Sequence, residues 1–503
     1  MSLLGLDVGS TACKAILFSD KGEQLSYSYR EYPSAGNVSE TNGDVIWACV
    51  SEVLTECASA AVSGDPVRAV SVSSFGESFV PIDRNGKVLM NTMLYTDKRG
   101  QDQCRRFEAE MGREIEMIAG AKLHPMYSLS KFAYIRDEIP CVFEETHKFL
   151  LIASFCIYRL TGEYFIDYSL AARTLAFDVV RKKWSDKLLA LAGVTADMLP
   201  EPVPSGTGVA RILSSVAVEL GLPSDLLVVT GGHDQVCACI GAGVTQAGTA
   251  VDGTGTVECI TPLFDRPVLD VHFLENNFAC IPYAIDGMYV TYAFNFTGGS
   301  ILKWYRDNFA GYERELAREK GISVYKLLDE RGAKEPTDLI VVPHFAGSAT
   351  PDMVDHARGA FYGLRFDTTA PVLYRALIEG VTYEMAYNMR FLSEAGINIR
   401  QLRAVGGGAN SDYWLQIKAD ITGCDIIPLD VPEAGITGTA MLAGIASGIY
   451  GGLEEAAGYF VKERPPILPD AGNHRIYLEN IERYIEARKR STDLYKSRGG
   501  ENK

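Results

Sequence analysis

Near the middle of the chain stand the ten residues Leu226 to Gln235, which read LLVVTGGHDQ. Leu226 to Thr230 is an apolar, β-branched run typical of a buried strand. Gly231 and Gly232 then predict a loose turn, so Asp234 is expected in a turn at the carboxyl end of that strand. Ligands of open α/β sheets bind at this end. The carboxylate has two interpretations: it caps a turn or helix, or it is a general base facing a cleft.

Composition and charge narrow the possible functions. The 503 residues exceed the size at which one core keeps growing, so two or three domains are expected. The net charge of −16 disfavours nucleic acid and anionic membranes as partners. A small anion such as a nucleotide stays open, because backbone N–H groups and a divalent cation can hold phosphates without a basic surface.

Several features favour a cytoplasmic protein. The apolar stretch Phe149 to Tyr158 is too short to span a bilayer, and Phe149 to Leu160 is predicted as one helix that stops at Gly162. Asp7 interrupts the apolar run that an amino-terminal signal peptide would need. The eleven cysteines include no CxxC pair, so buried free thiols in a reducing compartment are expected.

The amino terminus predicts a β-hairpin with a polar tip. Its strands come from Leu3 to Phe18, and the tip contains Gly9, Ser10 and Thr11. As a phosphate loop, Gly9 would let the backbone approach an anion, the hydroxyls would donate, and Asp7 could hold a hydrated Mg²⁺. The alternative is an ordinary hairpin turn.

The second half repeats this pattern. Val251 to Glu258 reads VDGTGTVE, an acidic residue followed by glycines and hydroxyls between predicted strands. It follows Gly241 to Gly248, a small-residue stretch suited to a domain junction. Two such turns, one opening each half, predict a duplicated domain whose loops face each other across a cleft.

Two glycine-rich turns in the second half precede predicted helices. Gly298 and Gly299 begin a helix whose first N–H groups are expected to be free, which suits an anion. Gly406 to Gly408 lie between a strand and a helix, and glycines there would let a flat ring pack against the backbone. The alternative for this triplet is close packing alone.

Taken together, these stretches resemble the FGGY family of carbohydrate kinases over nearly the whole chain. Met126 to Glu138 is similar to the first family signature, with Tyr134 where the family prefers Trp. Gly359 to Leu364, followed by the segment up to Glu379, is similar to the second. Ser348 and Ala349 depart from the family, which commonly has Glu-Arg there, so any role of that pair is open.

The resemblance implies an α/β fold with two actin-like (ribonuclease H-like) domains flanking an ATP and sugar cleft. Residues 1–245 would hold the sugar site, the first phosphate loop and the catalytic base Asp234, and residues 246–503 the nucleotide site. Mg²⁺ is the implied metal, with Asp7 as its ligand. The implied ATP and phosphate contacts are Gly9, Ser10, Thr11, Lys14, Thr254, Gly255, Thr256, Gly299, Gly407, Gly408, Asn410 and Ser411.

The substrate follows from one further local likeness. Ser74 to Val80 is similar to the sugar-contacting stretch of the family's rhamnulose and fuculose kinases. Gly76 would let a sugar lie against backbone, while Glu77, His233 and Gln235 could hydrogen-bond its hydroxyls. Xylulose kinases have Met-His in this loop and glycerol kinases Arg-Glu, so Glu77 agrees with the latter and Gly76 does not. Alternatively, Glu77 only caps a strand end.

The resulting hypothesis is ATP-dependent phosphorylation of a hydroxyl of a small sugar, a ketose or deoxyketose, in the cytoplasm. A polyol such as glycerol is the alternative substrate. Partners would be ATP and the sugar, without nucleic acid or membrane, and a homodimer is left open. Two rival functions are a non-catalytic sugar or nucleotide sensor on the same fold and a chaperone-like ATPase. The latter should carry a peptide-binding domain.

Overall fold

The computed structural model describes residues 1–33, 39–61 and 65–496. In the first half the strands are β1 (Ser2–Val8), β2 (Ala12–Ser19), β3 (Gln24–Glu31), β4 (Glu40–Thr41), β5 (Val67–Ser74), β6 (Phe79–Ile82), β7 (Thr92–Met93), β8 (Lys148–Leu151), β9 (Phe165–Asp167), β10 (Phe177–Asp178), β11 (Lys183–Trp184), β12 (Glu201–Val203), β13 (Gly208–Arg211) and β14 (Leu227–His233). The helices of this half are α1 (Gly43–Ser59), α2 (Gln101–Glu110), α3 (Arg113–Ala119), α4 (Ser128–Glu138), α5 (Pro140–Glu145), α6 (Ile152–Thr161), α7 (Tyr168–Ala172), α8 (Asp186–Ala192), α9 (Ser214–Leu220) and α10 (Asp234–Gly241).

The second half contains the strands β15 (Thr249–Thr254), β16 (Glu258–Phe264), β17 (Ile281–Pro282), β18 (Tyr289–Val290), β19 (Ala293–Asn295), β20 (Ile340–Val342), β21 (Ala360–Tyr362), β22 (Gln401–Val405), β23 (Asp425–Asp430) and β24 (Lys462–Glu463). Its helices are α11 (Val271–Glu275), α12 (Gly299–Phe309), α13 (Gly311–Lys320), α14 (Val324–Arg331), α15 (Ala370–Glu394), α16 (Asp412–Thr422), α17 (Ala434–Ala446), α18 (Leu453–Phe460) and α19 (Ala471–Lys496). Short 3₁₀ turns span Ala196–Met198 and Gly407–Asn410.

Each half is built on a central sheet with the same strand arrangement. In the first, β1 pairs antiparallel with β2 and parallel with β5, which pairs parallel with β14, and antiparallel β13 closes the edge. In the second, β15 pairs antiparallel with β16 and parallel with β22, followed by parallel β23 and antiparallel β24. The tips at residues 9–11 and 255–257 therefore occupy equivalent places. This confirms the predicted duplicated α/β architecture.

The central stretch differs from its prediction in one respect. Strand β14 continues through both glycines to His233, and Asp234 is the first residue of helix α10. A side chain at Gly231 would overlap the carbonyl oxygen of Val72 on the neighbouring strand. The glycines permit close strand pairing, so the predicted loose turn is wrong. Asp234 nevertheless lies at the carboxyl end of the strand, as expected.

The predicted helix from Phe149 to Leu160 is also partly wrong. Its first residues form β8, which pairs antiparallel with β6, and the helix begins only at Ile152. A continuous apolar run has no period that separates a buried strand from a buried helix. The stop at Gly162 is confirmed by its left-handed backbone, with φ 81°.

Among the described residues, no helix combines the length and apolar composition of a membrane span. The cysteines are free thiols, and only Cys141 is exposed.

Helices α10 and α17 connect the two halves. Their backbones cross in direct contact, because a side chain at Gly241 would overlap Ala434 and one at Gly438 would overlap Cys237. Helix α17 comes from the second half, yet its Ile436 lies in the hydrophobic core of the first sheet. Packing thus crosses the predicted boundary at residues 245 and 246, which stays a prediction.

The glycine contact between these helices can be tested by adding one methyl group. Gly241→Ala should lower the free energy of unfolding by about 3 kcal/mol, because backbone atoms of α17 must move. Urea unfolding would measure the loss. Gly458→Ala is the matched control: its position in α18 has open space, so it should stabilise by about 0.5–1 kcal/mol. Equal effects at the two positions would contradict the contact.

Candidate active site

Asp7 lies near the end of β1, two residues before the tip of the first hairpin. Its Oδ1 accepts a 2.7 Å hydrogen bond from the Ser73 hydroxyl on the adjacent parallel strand. Burial raises the pKa of Asp7 to about 6, opposed by this hydrogen bond and assisted by the charge of Asp234. Gly9 closes the tip by donating its N–H to Ala12 at 2.9 Å. Ser10 is half-buried and Thr11 exposed beside it.

Lys14 forms an ion pair beside the tip of the first hairpin. Its ammonium lies 3.0 Å from the carboxylate of Glu433, which directly precedes α17. The pair joins the first hairpin to the helix that comes from the second half. A phosphate contact by Lys14 would have to compete with Glu433, and that role stays a prediction.

Asp234 is the first residue of helix α10. One carboxylate oxygen accepts the backbone N–H of Gln235 at 2.6 Å, and 38% of the side chain is exposed. Loss of solvation raises the pKa of Asp234 to about 6, opposed first by that hydrogen bond and then by the charge of Arg173. A carboxylate with this pKa is ionised at neutral pH and basic enough to accept a proton in a reaction. Gln235 itself is half-buried.

Glu77 is committed to a buried ion pair. Its side chain is only 4% exposed, and its carboxylate accepts a hydrogen bond from Arg173 Nε at 2.5 Å. The backbone of Glu77 is left-handed, with φ 64°, and the Ser128 hydroxyl holds its carbonyl at 2.6 Å. Such a conformation persists only where neighbours enforce it. The strand-end cap is therefore wrong, and a sugar contact by Glu77 would share the carboxylate with Arg173.

His233 and Gly76 lie beside the pair of Glu77 and Arg173. His233 Nδ1 lies 3.0 Å from the Tyr292 hydroxyl and 3.3 Å from the Asp234 carboxylate. Burial lowers the pKa of His233 to about 3, with Arg173 contributing, so the ring is neutral. A Cβ at Gly76 would lie 2.9 Å from Arg173 and 3.1 Å from the His233 ring. Packing of these side chains therefore already requires glycine there.

Two residues near Glu77 and His233 could not be predicted from the sequence: Arg173 and Tyr292. The Arg173 guanidinium lies 5.0 Å from the ring centre of Tyr127 and 5.7 Å from that of Tyr292. Arg173 follows the short helix α7, and Tyr292 comes from the second half. Neither lies in a glycine-rich or strand-end motif, so only the tertiary structure brings them to Asp234.

A cavity of about 990 Å³ lies in the second half. Its lining includes all the nucleotide contacts predicted there: Thr254, Gly255, Thr256, Gly299, Gly407, Gly408, Asn410 and Ser411. The rest of the lining includes residues that no sequence motif marked: Tyr325, Lys326, Asp329, Lys334, Tyr374 and Tyr413. The sequence thus predicted the glycine and hydroxyl side of this cavity and missed its aromatic and charged side.

The loop that follows β15 forms hydrogen bonds with the start of α12, and Thr254 at the end of β15 packs against Gly408. Gly299 donates its N–H to the Gly255 carbonyl at 2.7 Å, and Ser300 donates to Thr256 at 3.2 Å. The first N–H groups of α12 are therefore used, and the prediction that they are free is wrong. A Cβ at Gly408 would lie 2.6 Å from Thr254, so close packing requires glycine here, and its contact with ATP stays a prediction.

Asn410 and Ser411 lie where α16 begins. The Ser411 hydroxyl accepts from the Trp414 N–H at 3.0 Å and donates to Asp329 at 2.7 Å. It thus caps the helix and links it to α14. Burial raises the pKa of Asp329, opposed by hydrogen bonds from Tyr374 and Ser411. Asn410 is exposed at the cavity wall.

The loop that contains Ser348 forms a hydrogen bond with an arginine from a distant part of the chain. The Ser348 hydroxyl accepts from Arg488 Nη2 at 3.1 Å, and Arg488 Nε lies 3.0 Å from the Glu384 carboxylate. Arg488 belongs to helix α19, near the end of the described residues. The loop therefore packs against a guanidinium although it contains no Glu-Arg pair.

Comparisons with known proteins agree with this geometry. The family model for the N-terminal domain of the FGGY family of carbohydrate kinases matches residues 2–241, and that for the C-terminal domain matches residues 249–447. Xylulose kinase of Bacillus subtilis is 29% identical over 503 residues, covering 98% of this chain and 96% of its own. Gluconokinase of Bacillus licheniformis is 29% identical over 454 residues, covering 89% and 88%.

A solved structure also shares the fold. The crystal structure of a ligand-bound xylulose kinase from Lactobacillus acidophilus superposes with a TM-score of 0.88 at 23% identity. The match covers 98% of this chain and 99% of that one. Both domains and their connections are therefore arranged as in that structure.

The buried pair of Glu77 and Arg173 makes a stability prediction. Arg173→Met leaves an unpaired buried carboxylate and should lower the free energy of unfolding by about 3–5 kcal/mol in urea titrations. The double variant Arg173→Met/Glu77→Gln should recover part of the loss. Arg105→Met, in an exposed pair with Asp102, should leave stability unchanged. A loss at Arg173 no larger than at Arg105 would contradict the pairing.

Proposed function

Because this chain belongs to the FGGY family of carbohydrate kinases, it is an ATP-dependent kinase of a small carbohydrate, and we propose that Asp234 is its general base and a neutral ketose its acceptor. The observation that carries the proposal is the ionised, partly exposed Asp234 at the carboxyl end of β14.

The predicted cytoplasmic location and homodimer remain proposals. The chaperone-like alternative loses support because two kinase domain models span nearly all of the chain.

The proposed reaction uses Asp234 as proton acceptor. The sugar hydroxyl loses its proton to the Asp234 carboxylate while its oxygen bonds to the γ-phosphorus of ATP, and the bond from that phosphorus to the bridging oxygen breaks to release ADP. Most of the rate comes from placing the two substrates together, because phosphoryl transfer needs little covalent participation by the protein. Asp234 lies at the start of a helix whose contact with α17 sets its position relative to the second half.

Asp7 is the residue that would hold Mg²⁺. Ser73 occupies one face of its carboxylate, and burial together with the charge of Asp234 disfavours the ionised form. A cation beside Asp7 would relieve both effects, so this carboxylate fits a hard divalent ion. When bound, Mg²⁺ neutralises charge on the ATP phosphates. Gly9, Ser10 and Thr11 would lie next to it on the hairpin tip.

The charge of the acceptor site supports a neutral sugar. Relatives include xylulose kinases and gluconokinases, whose named substrates differ in carrying a carboxylate. Here the guanidinium of Arg173 is already compensated by Glu77, and His233 is neutral. Asp234 adds a negative charge. A sugar acid would therefore meet net repulsion, whereas ketose hydroxyls could pair with His233 and Gln235.

The role of Asp234 predicts a pH profile and a variant effect. The base must be deprotonated, so kcat/KM of the wild type should fall as the pH drops through about 6. Asp234→Asn keeps the shape, removes the proton acceptor and should lower kcat by ~10²–10⁴-fold. At saturating Mg²⁺, which would keep Asp7 ionised, the variant should also lack this acidic limb. Coupled assays of ADP release would measure both. Unchanged melting and ATP affinity are the controls, and near-normal turnover would refute the assignment.

The charge argument predicts the choice of substrate. Xyluloses, ribuloses, L-rhamnulose, L-fuculose, glycerol and gluconate should be compared by kcat/KM, and one ketose should exceed gluconate and glycerol by about 10²-fold or more. Glu77→Gln leaves the guanidinium of Arg173 uncompensated, so it should raise the use of gluconate relative to the ketose. A wild-type preference for gluconate or glycerol would contradict the proposed substrate. Nucleotide binding without phosphorylation of any of these sugars would favour the sensor alternative.

A further inference from the structure

A buried charged cluster lies directly beneath the nucleotide loop of the second half. It consists of Asp252, Thr254, Glu258 and Lys418, each only 1–2% exposed. The Lys418 ammonium contacts the Asp252 carboxylate and lies 2.5 Å from that of Glu258. It also donates to the Thr254 hydroxyl at 2.6 Å. We call this group the Lys418 cluster.

The sheet register and one helix explain how the cluster forms. Asp252 and Thr254 are two residues apart on β15 and share a face, and Glu258 is paired opposite Thr254 on β16. Lys418 lies on α16, seven residues after the Ser411 cap, so both residues fall on the same side of the helix. The cluster thus joins the hairpin that carries Gly255 to the helix that follows Gly407 and Gly408.

The two carboxyl groups of the Lys418 cluster differ in their protonation. Burial raises the pKa of Glu258 to about 8, opposed by Lys418 and assisted by Asp252. Glu258 therefore holds a proton at neutral pH, and Lys418 and Asp252 form the ion pair. Among the described residues, Glu258 Oε2 has no hydrogen-bond partner. Burying such a group is costly, and a hydrophobic replacement of similar volume is often at least as stable.

The consequence of the cluster is the position of Thr254. Its hydroxyl accepts a hydrogen bond from Lys418, and its side chain packs so close to Gly408 that a Cβ added there would lie 2.6 Å from it. Gly255 and Thr256, which follow it, are exposed to the cavity. Any shift of Thr254 therefore moves both the loop and the glycine turn opposite.

We propose that Lys418 is a positioning residue of the nucleotide site, which places Gly255 and Thr256 for the phosphates of ATP by holding the Thr254 hydroxyl. The inference rests on the proposed function, because it takes the cavity to bind ATP. It assigns no contact between Lys418 and the nucleotide. A purely structural ion pair would support stability alone and leave ATP affinity unaffected.

The sharpest test removes the hydroxyl and keeps the shape. Thr254→Val should weaken the binding of Mg²⁺-ATP, measured by calorimetry without sugar, by about tenfold, the order expected when a hydrogen bond to a charged group is lost. Thr254→Ser retains the hydroxyl and should bind ATP within about twofold of wild type. The KM for the sugar should be unchanged in both. Wild-type ATP affinity in Thr254→Val would overturn the proposal.

A second arm uses the titration of Glu258. Its charged neighbours are Lys418 on α16 and Asp252 on β15, and its pairing partner on β19 is the uncharged Asn295. Loss of the proton from Glu258 above about pH 8 adds a negative charge beneath the loop. ATP affinity should then fall about three- to tenfold between pH 7 and 9. Glu258→Gln should remove this fall, and an identical pH profile in that variant would count against the proposal.

A third arm separates positioning from stability. Lys418→Met should weaken ATP binding at least as much as Thr254→Val, whereas Arg488→Met, which removes a buried cation from another cluster of this half, should lower stability without changing ATP affinity. Equal losses of ATP affinity in the two variants would overturn the inference. Wild-type protein that binds ATP but phosphorylates no sugar would refute the proposed function and leave this inference standing. Absence of ATP binding in the wild type would refute both.

Discussion

The backbone contact between helices α10 and α17 is the constraint on which the rest of the structure depends. Gly241 and Gly438 let the two helices touch, and Asp234 lies at the first residue of one of them. Glu433, just before the other, holds Lys14. One close-packed crossing therefore sets the distance from Asp234 to the first hairpin and to the second half together. Larger residues at the crossing would separate all three.

Burial controls the charges in this protein. Loss of solvation raises the pKa of both Asp7 and Asp234 to about 6, so both are ionised at neutral pH but easily neutralised by a cation or a proton. Glu77 and Arg173 are buried deeper and neutralise each other. The first arrangement suits groups that exchange charge with substrates, and the second suits a wall that recognises hydroxyls.

The two halves share a topology but use their hairpin tips differently. The first hairpin carries a carboxylate, Asp7, just before its tip, and the charge of Asp234 acts on it. The equivalent place in the second half is supported from beneath by Lys418, which binds Thr254 and leaves Gly255 and Thr256 exposed. We interpret the first loop as the cation side of the phosphates and the second as their backbone side. Duplication thus supplied one scaffold for two complementary tasks.

The sequence by itself determined the duplicated α/β halves, the strand that leads to Asp234 and the glycine side of the cavity in the second half, because strand periodicity and glycine turns are local properties of the chain. It did not determine the β8 strand, whose apolar run fits either element, or the extension of β14 through its glycines. Arg173, Tyr292, Asp329 and Lys418 were decided only by the tertiary structure. Their roles depend on partners far away in the chain, and a charged or aromatic residue in an ordinary helix or loop carries no local sign of the group it will meet.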